Sequence, residues 1–383
     1  MAEGRFGKGL ILRPSVVLPF AGRRHNSAAT CRANPHDACR WIDRARRRGA
    51  VVRPRLGCAS ILIALSGVAL AQPAPSLSLP IDCTLGRDCF IQQYTDVDPG
   101  PGAKDYRCGI ASYEGHKGTD FRVLSVKAAE AGVKVLASAA GRVKSVRDGV
   151  EDRLIATAAD AQAVKDRECG NGVVLDHGGG WETQYCHMRR GSVMVRAGQM
   201  VVAGAALGLV GYSGEAQFAH VHLSVRKDGA VVDPFLGEAV NGTCLALDVR
   251  PTSSLWKANV QPDVGYRDGQ IIETGFSGGP VGLAALEQGG VPAAVADSAT
   301  LVFYARVINL RAGDALRMAV EGPGGFKIAV VGEPAERNRA QFVGMAGQKR
   351  GVTPWASGTY RGVVEVIRGG AVIGKAENVV QLQ

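Results

Sequence analysis

The sequence predicts an all-β protein with two folded domains, a compact β-sheet domain followed by an immunoglobulin-like β-sandwich. The chain has 383 residues, which exceeds one average domain, and 46% of them are hydrophobic, which suffices for ordinary globular cores. Residues 81–244 contain short strand-like runs separated by Gly-rich turns. A second series of strand-like runs follows from about residue 245, which indicates a separate β domain.

The positive charge of the chain is concentrated at its N-terminus. The formal net charge is +10. Residues 1–71 hold 13 Lys and Arg residues against 3 Asp and Glu residues, whereas residues 72–383 hold 32 of each kind. Because the larger part of the chain is neutral, its high net charge does not indicate a nucleic-acid partner, and we expect none.

This basic N-terminal segment has the features of an export signal. Arg53 and Arg55 precede an apolar run over about residues 59–71. That run is short for a permanent membrane-spanning helix, and Ala69-Leu-Ala71 has the small-x-small form of a signal-peptidase site. We therefore expect cleavage near Ala71 and a periplasmic or secreted protein.

Two alternatives to a cleaved signal are a retained amphipathic anchor and a lipoprotein acylated at Cys58, although Cys58 precedes the apolar run rather than following it. Residues 1–50 are rich in Arg and lack hydrophobic periodicity, so we interpret them as translated sequence upstream of the true start codon. The predicted organisation is a leader with a signal peptide over residues 1–71, a linker over residues 72–82, a first β domain over residues 83–245 and a β-sandwich over residues 246–383.

Cysteine content also favours export. Beyond the leader there are six cysteines, an even number that favours disulfides in a secreted chain, although six allow fifteen pairings. We expect Cys83 to pair with Cys89 in a small loop, and Cys169 to pair with Cys186 at the base of an inserted segment. Zinc ligation by cysteine is the competing interpretation, but the chain has no Cys-x-x-Cys pair. The six cysteines are Cys83, Cys89, Cys108, Cys169, Cys186 and Cys244.

Several elements of the first domain are predicted from local pattern. Residues 172–177 and 182–187 flank Gly178-Gly-Gly180, which predicts a β-hairpin. The charged, Ala-rich residues 148–168 are an insertion for which we expect one surface helix. In the second domain, period-2 alternation and β-branched residues predict strands at residues 300–309, 315–320, 326–331, 341–345, 359–367 and 371–373.

Four of the seven histidines and one aspartate occur in three short segments that suit a metal site: His116-Lys-Gly-Thr-Asp120, Tyr185-Cys-His187-Met188 and His220-Val-His222. Alternate residues of a strand share a face, so His220 and His222 can point into one pocket. A His-x-x-x-Asp segment on a turn can bring a nitrogen and an oxygen ligand together. Catalytic zinc takes three protein ligands of this mixed type and leaves one position open. The segments therefore predict three ligands, with two histidines left for proton transfer.

These segments and their surroundings resemble the lysostaphin- and LytM-type zinc endopeptidases, which cut bacterial cell-wall peptides. Either His pair alone is a weak signal, whereas the whole set in this order is specific. The resemblance covers roughly residues 115–234. It rests on Gly115-His-Lys-Gly-Thr-Asp120, Gly170-Asn-Gly-Val-Val-Leu-Asp-His-Gly178, Tyr185-Cys-His-Met188, Gly198-Gln-Met-Val-Val-Ala-Gly204, Gly208-Leu-Val-Gly-Tyr-Ser-Gly214, His220-Val-His222 and Val232-Asp-Pro234.

The resemblance implies a compact antiparallel β domain with an open groove. It also implies that His116, Asp120 and His222 bind zinc, and that His187 and His220 are catalytic residues beside the attacking water. We assign His220 as the general base because its strand places it next to His222, and His187 as the group that stabilises developing negative charge. Spacing alone leaves the exchanged assignment open.

The chain departs from the family pattern at a few positions. Ala219 stands where proline is common, and Leu223 stands where an aromatic residue is frequent. We expect both differences to affect strand packing more than chemistry. The insertion at residues 148–168 is also unusual, and it would change which peptide fits by narrowing the groove. His177 lies outside the three segments, and we interpret it as a structural residue.

The leading functional expectation is an exported zinc-dependent endopeptidase that hydrolyses peptide cross-links of bacterial peptidoglycan. One alternative is a non-catalytic LytM-like regulator that binds and activates another cell-wall hydrolase. Another is a zinc peptidase that acts on proteins. The C-terminal domain contains no His or Cys residue beyond Cys244, so we expect a structural or docking module through which a protein partner would bind.

Overall fold

The N-terminal part of the fold is built on a nine-stranded antiparallel sheet. The structure is a computed structural model that describes residues 72–383, so the predicted leader and its cleavage site at Ala71 lie outside the described residues. The strands of this part are β1 (Cys89–Gln93), β2 (Thr119–Val123), β3 (Lys134–Leu136), β4 (Gly141–Arg147), β5 (Asn171–Gly178), β6 (Trp181–Met188), β7 (Met200–Val201), β8 (Ala206–Leu209), β9 (His220–Lys227), β10 (Ala230–Asp233) and β11 (Glu238–Ala239).

The order of the strands brings distant parts of the chain together. The large sheet runs β1-β2-β9-β6-β5-β4-β7, with β10 paired to β9 and β11 paired to β10, while β3 and β8 form a separate two-stranded sheet. The predicted hairpin is confirmed, because β5 and β6 are antiparallel neighbours joined at Gly178-Gly-Gly180. Those three glycines have positive φ, a conformation that glycine adopts without a steric penalty. The strand order places β2, β9 and β6 side by side in the sheet.

The hydrophobic core of this part lies against one face of the central strands, opposite the face that carries Asp120 and His222. Phe121, Val221, Leu223 and Tyr185 are fully buried within it. Segments on either side of the predicted domain also pack into this core, and their buried residues are Leu77, Ile81, Leu255, Trp256, Val260 and Val264. The exact domain boundaries near residues 83 and 245 stay predictions.

Three disulfides crosslink the N-terminal domain of the described part of the chain. The predicted pairs Cys83–Cys89 and Cys169–Cys186 are both present. The third pair joins Cys108 to Cys244, which are 136 residues apart in sequence. All six cysteines beyond the predicted leader are therefore paired, and none remains as a thiolate ligand for zinc.

The C-terminal part is a sandwich of two antiparallel sheets, as predicted. Its sheets run β12-β13-β16 and β15-β14-β17-β18, and buried side chains of both sheets meet in a common core. The division of seven antiparallel strands into groups of three and four is typical of immunoglobulin-like sandwiches. The strands are β12 (Gln270–Ser277), β13 (Thr300–Leu310), β14 (Ala315–Glu321), β15 (Lys327–Val331), β16 (Arg339–Lys349), β17 (Gly358–Arg368) and β18 (Ala371–Leu382).

Within residues 72–383 the helices are few and short. They are α1 (Val126–Glu130), α2 (Ala158–Ala163) and α3 (Leu283–Gln288), with a 3₁₀ segment at Pro323–Gly325. No helix within residues 72–383 has the length and apolar character needed to cross a membrane.

Candidate metal centre

The register between β2 and β9 brings the three predicted ligands together. Asp120 on β2 lies directly opposite His222 on β9, although 102 residues separate them in sequence. His116 precedes β2 in a tight turn. Gly118 makes this turn compatible with β9, because a Cβ atom at that position would lie 2.4 Å from the carbonyl oxygen of Leu223 and 2.6 Å from His222 Nε2.

The donor atoms of these three residues form a small triangle. Asp120 Oδ1 lies 3.1 Å from His116 Nε2 and 2.8 Å from His222 Nδ1, and the two nitrogens are 3.1 Å apart. A tetrahedral zinc ion with bonds of about 2.0–2.1 Å requires ligand atoms about 3.3 Å apart. The triangle therefore has nearly the size and the mixed nitrogen and oxygen chemistry that zinc requires. His116, Asp120 and His222 form a group that could hold a metal ion.

Hydrogen bonds on the far side of each imidazole select the nitrogen that faces the triangle. His116 Nδ1 donates to the carbonyl oxygen of Tyr94 at 2.7 Å, which leaves the Nε2 lone pair free. His222 Nδ1 faces Asp120, and on the far side of the ring Nε2 lies 2.9 Å from Ser224 Oγ, a hydroxyl that can accept the Nε2–H. Metal-binding histidines commonly have such a second partner, which fixes the tautomer and the ring orientation.

His187 and His220 lie beside the triangle without belonging to it. Their ring centroids are 4.5 Å apart, and His220 Nε2 is 3.6 Å from Asp120 Oδ1. Each donates from Nδ1 to a backbone carbonyl oxygen, His187 to that of Ser213 and His220 to that of Phe218, both at 2.8 Å. The Nε2 atoms of both residues are therefore free to accept a proton.

The electrostatics of the site favour a bound cation and neutral flanking histidines. Burial lowers the pKa of His187 well below its ordinary value. Burial also lowers the pKa of His220, although the negative charge of Asp120 acts to raise it. Burial would raise the pKa of Asp120, but His116 and His220 outweigh it and hold that pKa well below its ordinary value. At neutral pH the carboxyl of Asp120 is therefore ionised, while His187 and His220 are neutral.

The inserted segment is attached next to His187. The prediction of one surface helix over residues 148–168 was wrong in extent, because only Ala158–Ala163 is helical. The carboxylate of Asp152 accepts hydrogen bonds from the backbone N–H groups of Arg190 and Tyr212, and these contacts hold the chain extended. The end of the insertion meets His187 directly, since the carbonyl oxygen of Cys169 accepts the backbone N–H of His187 at 2.8 Å.

Two aromatic residues that adjoin the site belong to none of the three metal-site segments. The Tyr113 ring stacks on His116 with centroids 4.4 Å apart and is 54% exposed. The Phe218 ring lies 4.4 Å from the imidazole of His220. Neither residue belongs to a recognisable motif. Their contacts depend on the tertiary fold. The position of Phe218 two residues before His220 was the one local feature that could have indicated its contact with the site. His177 bonds to Ala140 and Thr183 away from the donor triangle.

The fold and the site together define an antiparallel β domain with a candidate His-Asp-His metal centre. Residues 114–234 match the family model described as peptidase family M23. The resemblance identified from the sequence motifs is thereby confirmed. A domain of this type implies a peptidoglycan hydrolase or a regulator of such enzymes, and most M23 proteins are zinc metallopeptidases.

Several solved structures are similar to part of this chain. The catalytic domain of the prophage-encoded M23 protein EnpA of Enterococcus faecalis is 21% identical, with 42% of this chain and 94% of that chain covered and a TM-score of 0.27. The catalytic domain of lysostaphin from Staphylococcus simulans is 22% identical over 37% and 89% of the two chains, with a TM-score of 0.23. A zinc-containing peptidase from Vibrio cholerae is 22% identical over 38% and 39%, with a TM-score of 0.24.

Proposed function

We propose that this protein is an exported zinc-dependent endopeptidase that hydrolyses peptide cross-links of bacterial peptidoglycan. The observation that supports this most strongly is the convergence of three donor atoms within 2.8–3.1 Å of one another, beside two neutral histidines with free Nε2 atoms. A non-catalytic regulator of the same family would not need this complete set of five side chains.

His116, Asp120 and His222 would hold the zinc ion, each through the atom that faces the donor triangle. When bound, zinc polarises the scissile carbonyl and lowers the pKa of water to near 7. His220 would accept the proton of the attacking water at Nε2, since this atom lies 3.6 Å from the ligand Asp120. His187 would stabilise the developing negative charge once its own Nε2 carries a proton.

The test is digestion of purified peptidoglycan and defined cross-linked muropeptides, followed by identification of the products by mass spectrometry. We expect new amino and carboxyl ends within the cross-link, loss of cleavage with a zinc chelator, and recovery when zinc is restored. Absence of peptide fragments, together with stimulation of a second wall hydrolase, would identify a regulator instead. Cleavage of an ordinary protein with sacculi left intact would identify a protein-directed zinc peptidase.

Export is tested separately on the native protein. We expect the periplasmic or secreted form to begin near Gln72, after cleavage following Ala71, as determined by N-terminal sequencing. A native protein that retains the apolar run before Ala71 would point to a membrane anchor, and a native chain that begins within residues 1–50 would contradict the proposed later start codon.

A further inference from the structure

We propose that the C-terminal sandwich is part of the catalytic unit, because it holds Arg122 behind His220 and so makes Arg122 and Glu287 positioning residues for the general base. This inference rests on the proposed function, in which His220 takes part in proton transfer. It gives the sandwich a role in the chemistry besides any docking of a partner.

Arg122 is connected to His220 through a short chain of contacts. The two residues are opposite each other in the pairing of β2 with β9. The fully buried guanidinium of Arg122 lies over the ring of Phe218, with Cζ 4.8 Å from the ring centroid, a distance typical of a cation–π contact. The Phe218 ring in turn lies 4.4 Å from the His220 imidazole, and the Phe218 carbonyl oxygen accepts the Nδ1–H of His220.

The groups that hold Arg122 from the other side belong to the C-terminal sandwich. Glu287 on α3 accepts two hydrogen bonds from Arg122 Nη2, at 3.0 and 2.8 Å. Gln341 on β16 accepts a hydrogen bond from Arg122 Nη1 at 2.9 Å. Glu287 is itself 95% buried and also pairs with Arg306 Nη1 at 3.3 Å. These contacts connect residues that are 165 and 219 positions apart in sequence.

The arrangement constrains the site because both charges are buried and water cannot solvate either of them. A buried guanidinium that loses its carboxylate is strongly unfavourable, so Arg122 is held where Glu287 lies. A guanidinium in that position restricts the movement of the Phe218 ring and of the Phe218 carbonyl group. Because this carbonyl oxygen accepts the Nδ1–H of His220, it fixes the tautomer and the direction of the His220 ring. Proton transfer depends steeply on the position of the base, and a misplacement of about 1 Å can cost about 100-fold in rate.

The decisive variant is the double substitution Arg122→Met/Glu287→Gln in the full-length zinc-loaded protein. It removes both charges together, so neither is left buried without its partner, and the new amide can still bond to Arg306. We expect kcat on a cross-linked muropeptide to fall about 10- to 100-fold. We expect KM to change by less than about twofold and the zinc content to stay at the wild-type value. The matched control is Glu273→Gln, which breaks the contact of Glu273 with Arg306 in the same network without touching Arg122.

A second measurement does not depend on enzymatic activity. In ¹⁵N NMR of the histidine rings, the wild-type Nδ1 of His220 is expected to be a protonated hydrogen-bond donor, and the double variant is expected to change this resonance while Glu273→Gln leaves it in place. Wild-type kcat with an unchanged His220 resonance in the double variant would overturn the proposal. An equal fall of kcat in the control variant would also overturn it, because the effect would then be a general destabilisation. If the wild-type protein has no peptidase activity, the proposed function fails, and the His220 resonance alone decides whether the positioning contact exists.

Discussion

The proposed roles of the zinc ligands and of the flanking histidines can be tested with two alanine variants. His222 contributes one of three donor atoms, with Nδ1 at 2.8 Å from Asp120 Oδ1 and 3.1 Å from His116 Nε2. Removing this side chain leaves two donors, which is fewer than a catalytic zinc site uses. His187 contributes no atom to the triangle, and its ring centroid is 5.9 Å from that of His222. We therefore expect His222→Ala to lose its zinc and His187→Ala to retain about one zinc per chain.

The expected loss of activity also differs between these two variants. General acid–base groups typically contribute about 10²–10⁴ in rate, so His187→Ala should lower kcat by that factor, which corresponds to about 3–5 kcal/mol in the activation free energy. Zinc is measured by inductively coupled plasma mass spectrometry and kcat on a defined muropeptide. His177→Ala is the matched control, because its imidazole bonds to Ala140 and Thr183 away from the site. Loss of zinc in His187→Ala would show that a ligand has been misassigned.

Three further predictions concern the surroundings of the site and the stability of the fold. Ser224→Ala removes the partner of His222 Nε2 and should weaken zinc binding about 10- to 100-fold in a competition titration, while wild-type affinity would indicate that the bond does not orient the ring. Burial raises the pKa of Asp233 from 3.8 to about 7, so ionisation opposes folding, and the free energy of unfolding should fall as pH rises from about 4 to about 7. At about 1.4 kcal/mol for each unit of pKa difference, the upper bound is about 4 kcal/mol, and Asp233→Asn should remove this pH dependence in denaturant titrations. Replacing Cys108 and Cys244 together by Ser should lower the free energy of unfolding by about 2–5 kcal/mol, and an unchanged denaturation midpoint would contradict a stabilising crosslink.

The C-terminal sandwich is more closely integrated with the peptidase-family domain than its composition suggests. Arg306 on β13 donates to the carbonyl oxygen of Leu124, and Asn309 donates to the carbonyl oxygen of Gln92 at 2.7 Å. Both contacts, like that between Arg122 and Glu287, satisfy polar groups that water cannot reach, and such groups are costly when left without partners. We therefore expect substitutions at this boundary to affect the site as well as the stability of the sandwich.

Local pattern was sufficient for much of the architecture. Period-2 alternation identified most strands of the sandwich, and a run of three glycines identified the hairpin between β5 and β6, because side-chain direction and turn geometry depend on neighbours in sequence. It was insufficient for β12 and α3, which lack a strong periodic signal. Local pattern also failed to predict the conformation of most of the insertion. There Asp152 accepts hydrogen bonds from backbone groups 38 and 60 residues away, and the chain around it is not helical.

For the candidate site too, some features could be predicted from the sequence and others required the structure. Residue types and their order identified His116, Asp120, His187, His220 and His222, because few side chains can bind a metal ion or transfer a proton. Only the tertiary structure determined which ring nitrogen faces the donor triangle, since this depends on acceptors such as Tyr94 and Ser224. The pairing of Cys108 with Cys244 and the contact between Arg122 and Glu287 likewise required the fold. Chemical identity is a property of single residues, whereas burial, tautomer and charge pairing depend on neighbours that only chain folding brings into contact.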